Sequence, residues 1–592
     1  MKKFFTVVLG SFVGTWLAMM ISSVMSIVFS FMLLGMMSGG SSTKASLTDD
    51  SILKIDLGTA ITERSTDGDV MSLITGNGTT TTMGLDQILD AIEAAKTNDK
   101  IKGIYISCNG VQAGVSTLHS LRNAIVDFKT SKESKDKFVY AYGYSGISQG
   151  DYFVASAADS IFISPYTSVD VHGLAAQNLF FKKVLDKLGV EMQVIRVGTF
   201  KSAVEPYMLT EISDANRMQQ EHYLGSIWKT MLGEMSSSRG VKPEQLNALA
   251  DSMLLAKDTD FLMKHKLIDG VCYRKDMEAK LKALTCGEDG DLNMILPTDM
   301  PISNVPKGKK EIALVYAVGE IDGSSEGGID SYDLVETISD LTDNDDVAAM
   351  VLRVNSPGGS AFGSEQIWKS IEDFKAKGKK VVVSMGDYAA SGGYYISSGA
   401  NYIISDPTTL TGSIGIFGVV PCAESLVTEK IGVTQNVVST NANGAFGSLI
   451  TRMTPEQKNA MQQMVNNGYE LFTSRCAKGR KVSQDSIKSI AEGRVWDGAS
   501  ALKIGLVDKL GSLSDAIAKA AELSKCKGNY KVATYPDVKT RWERMIEQYM
   551  TAKYETELRN EFGELYDYQK MLKRVLGRER ILCLMEPCDI TL

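Results

Sequence analysis

From Ile52 onward, short apolar runs alternate with segments whose apolar residues recur at helical spacing, the pattern of an α/β fold. The pattern fails between Gly287 and Lys310, where Pro297, Pro301 and Pro306 stand among acidic residues and glycine. It restarts at Glu311-Ile312-Ala313-Leu314-Val315-Tyr316. Residues 51–286 therefore read as one unit, 287–310 as a linker and 311–534 as a second unit. Two stretches flank this body. Phe4 to Met37 carries no charged side chain and follows Lys2 and Lys3, a run exceeding the roughly 20 apolar residues that span hydrocarbon. It is also longer than a typical signal-peptide core of about 7–15 residues, and no clear Ala-x-Ala site follows. Residues 1–37 are thus predicted to be an uncleaved transmembrane anchor, with 38–50 as a flexible tether. The leading lysines orient the body outward, on the periplasmic side of an inner membrane. Beyond Tyr535, an apolar stripe through Met545, Tyr549 and Tyr554 predicts that 535–592 is a helical tail for packing or assembly.

The two units repeat one pattern. Gly150 and Gly392, Tyr152 and Tyr394, Ala158 and Ala400, Pro165 and Pro407, and Gly173 and Gly415 all stand 242 residues apart. Lys187-Leu188-Gly189-Val190 and Lys430-Ile431-Gly432-Val433 follow at 243. Helices are predicted to open after Ser213 and Thr454, the latter with the first-turn proline and Gln457 of a capping box. Each unit closes on a similar phrase, Leu267-Ile268-Asp269-Gly270 and Leu506-Val507-Asp508.

Composition narrows the function little. A 44% hydrophobic and 23% charged chain of 592 residues is ordinary globular material, and a net charge of -8 argues against a nucleic-acid partner. The cysteines are scattered, with no Cys-x-x-Cys spacing, so no metal and no cofactor is expected. Only Cys583 and Cys588 lie close enough in sequence to suggest a bridge, and then only in an extracytoplasmic setting.

The candidate chemistry is split between the units. Val347–Val354 reads as a buried strand leading into Asn355-Ser356-Pro357-Gly358-Gly359, where glycine could turn bare backbone N–H groups toward a cavity; an ordinary tight turn is the competing reading. Lys380–Met385 reads as a second strand, leading to Ala389-Ala390-Ser391-Gly392-Gly393 and a helix. A serine there would stand at a positive helix end, with the Gly392 N–H available to an oxyanion, although Ser-Gly-Gly also serves as a plain helix start. The first unit has Ser148 and Gln149 at the corresponding place. What would activate Ser391? The four histidines (His119, His172, His222 and His265) all lie in the first unit, and none shows a triad pattern in sequence. Lys201, in Gly198-Thr199-Phe200-Lys201-Ser202-Ala203-Val204-Glu205-Pro206, sits among apolar and small residues that could lower its pKa from about 10.4. The second unit has Asn443 or Gly444 there. Ser413, in Leu410-Thr411-Gly412-Ser413-Ile414-Gly415-Ile416-Phe417-Gly418, is the candidate to orient such a lysine.

These four motifs, taken in order, resemble the signal peptide peptidase A family in its long, two-repeat, membrane-anchored form, over about residues 50–530. The resemblance implies tandem Clp/crotonase-like α/β domains and a Ser391/Lys201 dyad with Ser413 orienting the lysine. It further implies degradation of hydrophobic remnant signal peptides by a homotetramer at the membrane. Gly358, Gly359 and Gly392 are the expected oxyanion donors. Two rival readings remain at this point: an acyl-thioester enzyme using the glycine pocket with coenzyme A, and a catalytically silent membrane scaffold.

Overall fold

The apolar runs become two parallel sheets with the same strand order. The structure is a computed structural model describing residues 46–65, 82–287, 290–302, 308–323, 328–537, 581–585 and 590–591, with isolated positions between 14 and 26. In the first lobe the strands lie in the order Met294–Ile295, Ser51–Asp56, Ile101–Cys108, Phe138–Gly143, Ser160–Ile163, Gly270–Val271. In the second the order is Tyr530–Tyr535, Lys310–Val318, Val347–Ser356, Lys380–Ala390, Tyr402–Ser405, Lys509–Leu510. Position by position these six strands correspond; the second sheet adds Leu410–Gly412 beside Lys380–Ala390 and, antiparallel to Leu410–Gly412, Val495–Asp497. Central strands such as Val347–Ser356 are buried along nearly their whole length, as in a parallel sheet covered on both faces.

The helices repeat as well. Asp214–Arg239 and Pro455–Arg480 are long helices of 26 residues each. The Ser213 side chain accepts from the Asn216 N–H, and Thr454 forms the expected capping box with Gln457.

The structure departs from the sequence-based expectations in three places. Met294–Ile295, inside the expected linker, pairs in parallel with Ile52 and Leu53 and so belongs to the first sheet. The Lys380 strand runs on to Ala390, five residues past its expected end, because Ala389 and Ala390 pair with Thr411 and Gly412. The tail is not helical where it is described: Ile581–Leu584 and Ile590–Thr591 are strands. Trp542–Val575 lies outside the described residues, as does most of the expected anchor. Among the described residues, no helix is long and apolar enough to cross a membrane.

The lobes share their packing. The core of the first takes in Ala390, Leu410 and Val495 of the second. Conversely Ile195, from the first repeat, is buried in the core of the second.

Candidate active site

Ser391 stands where the lengthened strand ends and the helix Gly392–Ser398 begins. Its backbone has φ 54° and ψ -113°, a left-handed conformation that a residue with a Cβ rarely takes. The surroundings hold it there: the Ser391 N–H donates to Gly412 O at 2.8 Å, and its carbonyl accepts from Tyr395 N at 2.8 Å. Ser413 also has positive φ, 48°. Paired strain of this kind persists where neighbouring structure over-determines it, often at sites of function.

Lys201 arrives from the other repeat on an arm that joins the second lobe. Glu191–Arg196 pairs antiparallel with Phe417–Cys422, placing Arg196 opposite Phe417. Past the strand, Phe200 N donates to Glu492 O at 3.0 Å. Close approach here depends on glycine, since a Cβ on Gly493 would come within 2.7 Å of Lys201 Cβ. The long helix braces the arm from behind. Gln219 reaches Ser202 Oγ at 3.1 Å and accepts from Val495 N at 3.1 Å. Buried Glu205 accepts from Ser213 Oγ at 2.6 Å and Asn216 Nδ2 at 3.2 Å. That gives the Glu205 of the Gly198–Pro206 motif a structural task.

The two halves meet inside one chain. Lys201 Nζ lies 2.8 Å from Ser391 Oγ, 3.0 Å from Ser413 Oγ and 3.2 Å from Ser413 O. Lys201 is 1% exposed and Ser391 0%, so water does not solvate the amine. Burial brings the lysine down to about 7, with the Cys583 thiol acting in the opposite direction. Among the described residues, its hydrogen-bond partners include no carboxylate. An amine of this kind is uncharged through much of the neutral range, and its lone pair can take a proton from the hydroxyl it touches.

The expected oxyanion glycines gather beside the serine. Gly358 has φ 106° and Gly359 152°. A Cβ on Gly358 would fall 2.0 Å from Cys583 O and 2.7 Å from Gly392 N, while one on Gly359 would fall 2.1 Å from Ile321 O. Only glycine fits both places. Asn443 or Gly444, the counterpart of Lys201 in the second repeat, lies in an exposed loop, where Asn443 accepts from Gln457 Nε2 at 3.1 Å.

Among the described residues, Ser391 Oγ is hydrogen-bonded to Lys201 and to no histidine. His119 is buried between Asp406 and Glu234. Burial alone would lower it, but the two carboxylates lift it to about 10. It is therefore a cation at neutral pH, with no lone pair to offer a serine.

Sequence reasoning missed a buried polar cluster behind the site. Arg353 donates to Glu63 at 2.9 and 3.0 Å, and Asn355 Nδ2 donates to the same carboxylate at 2.9 Å. Asn355 Oδ1 then accepts from Tyr388 N at 3.0 Å. Asp387 accepts from Thr117 N at 3.0 Å and Thr117 Oγ1 at 2.7 Å. These contacts tie the first lobe to the strands that carry Gly358 and Ser391. The available signal was Arg353 itself, a charge inside the apolar run Val347–Val354, which demands a partner.

Comparison with known proteins agrees with the duplicated architecture. The description "Peptidase family S49" matches residues 131–286 and again 373–527. A protein named Protease 4 from Haemophilus influenzae is 36% identical over 508 residues, covering 82% of this chain and 81% of its own. Another Protease 4, from Salmonella typhi, is 39% identical over 457 residues, 75% of this chain and 72% of its own. The chloroplastic serine protease SPPA of Arabidopsis thaliana is 29% identical over 467 residues, 76% of this chain and 67% of its own.

Proposed function

The chain belongs to peptidase family S49, and on that premise we propose that it is a membrane-anchored serine endopeptidase in which Ser391 and Lys201 form the catalytic dyad. Neutral Lys201 takes the proton of Ser391 as Oγ attacks a peptide carbonyl. Its two N–H groups are spent on Ser413 Oγ and Ser413 O, which leaves the lone pair facing the serine. Backbone N–H groups around Gly358, Gly359 and Gly392 hold the oxyanion. The acyl-enzyme is then hydrolysed by a water that Lys201 activates. The observation that carries this reading is the 2.8 Å approach of a buried amine to a strained serine hydroxyl.

Apolar surroundings suit apolar substrates. Ala203, Val204 and Phe417 line the dyad's flank, so we propose extended hydrophobic peptides, remnant signal peptides among them, as the substrates. The same proposal puts the body on the periplasmic side of the membrane as a homotetramer. An acyl-thioester enzyme or a silent scaffold would leave the Lys201–Ser391 contact without a task.

The test is labelling of Ser391 by a fluorophosphonate across pH. A base near 7 is neutral above that value, so the labelling rate should rise through about pH 7 and level off. With Lys201 replaced by methionine this limb should vanish; a pH-independent rate in the wild type would refute the mechanism. Ser413→Ala removes one partner of the amine and should lower kcat for a chromogenic apolar peptide about 10–100-fold, the value of a hydrogen bond of about 1.5–3 kcal/mol, with KM little changed.

A further inference from the structure

A strand from the far end of the chain lies in the groove that a substrate would need. Ile581–Leu584 runs between Gly358–Ser360 and Phe417–Cys422, antiparallel to both. Gly359 is opposite Cys583, Gly358 opposite Leu584, and Phe417 opposite Leu582. Beyond the pairing, Met585 N donates to Pro357 O at 2.8 Å. Both walls belong to the site. Gly358 and Gly359 are its oxyanion glycines, and the Phe417 ring centre is 5.9 Å from Lys201 Nζ. Strand addition of this kind grips an extended peptide by its main chain while alternate side chains enter pockets. The side chains do alternate: Leu582 and Leu584 pack with Ala203, Val204 and Phe417, whereas Cys583 turns into the core of the second lobe.

The register singles out one peptide bond. Cys583 O points at the meeting place of Gly358 and Gly392; a Cβ on the first would lie 2.0 Å from it, and a Cβ on the second 3.1 Å. Ser391, one residue before Gly392, is the neighbouring nucleophile. A carbonyl in that position belongs to the residue about to be acylated.

We propose that Ile581–Met585 is a substrate of the site that holds it, and that the protein cleaves its own C terminus between Cys583 and Leu584. The proposal rests on the dyad reading above. Ser391 Oγ bonds to the Cys583 carbonyl carbon and its proton passes to Lys201 Nζ. The bond to Leu584 N breaks, the departing amine takes that proton, and residues 584–592 leave as a peptide. One water then hydrolyses the Cys583 ester, yielding a Cys583 carboxylate and free Ser391. Before cleavage the strand competes with every other peptide, because the Gly358–Ser360 edge can pair with one strand at a time. The side chain at 583 is fully buried, so the position before the cut is restricted to small residues.

The experiment follows the intact mass of the purified full chain in detergent, together with its turnover of a fluorogenic apolar peptide. The wild type should lose residues 584–592 with time, and peptide turnover should rise as the intact form disappears. Ser391→Ala and Cys583→Arg should both keep the chain through Leu592. A wild type that turns over the peptide yet keeps its C terminus overturns self-cleavage and leaves the dyad standing. Loss of the tail at equal rate in Ser391→Ala also overturns it. A wild type that cleaves neither overturns both readings.

Discussion

Lys201→Met is expected to lower kcat/KM for an apolar peptide by about 10³-fold or more, although the variant folds as the wild type does. Methionine fills nearly the same volume, and the pocket already receives the lysine stem without a carboxylate partner, so the change removes a lone pair and little packing. The serine would remain strained and beside its glycines, but its proton would have nowhere to go at neutral pH. Ser391→Ala should fall to the same floor. The double variant should fall no further, because residues acting as one unit are not additive. The wild-type rate should also climb with pH through about 7, where the buried amine loses its proton, and this limb should be missing from the methionine variant. Peptidase assays from pH 5 to 9 on the three proteins decide the matter. A Lys201→Met enzyme retaining a tenth of wild-type turnover would sink the lysine as base.

The parts of the site legible in sequence were those written locally. Gly-Thr-Phe-Lys and Ala-Ala-Ser-Gly-Gly each declare a special backbone or an apolar setting within a few residues. The 242-residue offset then places the two in corresponding lobes, and the identical order of six strands in each sheet is its structural counterpart. What stayed hidden depends on partners far along the chain. The strand ending at Ala390 reads as stopping at Met385, because the extension is stabilised by Leu410–Gly412 and not by its own alternation. Ile581–Leu584 is too short to signal a strand, and its pairing with Gly358–Ser360 spans more than two hundred residues. Glu63 is invisible for the same reason: nothing around it hints at an arginine 290 positions away.

That arginine leads to the second large expected effect. Arg353 is buried in the strand before Gly358 and Gly359; burial alone would lower its guanidinium, and Glu63 more than offsets this, leaving it above its ordinary value. Its remaining partners are Ser384 Oγ at 2.9 Å and Met385 O at 2.8 Å, neither of which carries charge. Glu63→Ala therefore strands a buried cation and should cost about 3–5 kcal/mol, read as a lowered urea midpoint. Glu63 also accepts from Asn355, which in turn holds Tyr388 N on the strand that leads to Ser391. Turnover should consequently fall through kcat, since the glycine turn and the serine lose their common brace while the walls of the groove remain. Adding Arg353→Met to Glu63→Ala should restore part of the midpoint, because the apolar pair carries no unmet charge although it leaves a cavity where Glu63 stood. It should not restore the rate, because Asn355 keeps only its longer bond to Asp387 Oδ2 at 3.4 Å in place of the 2.9 Å bond to Glu63. A Glu63→Ala protein unfolding within about 1 kcal/mol of the wild type would show that the ion pair does not hold the lobes together.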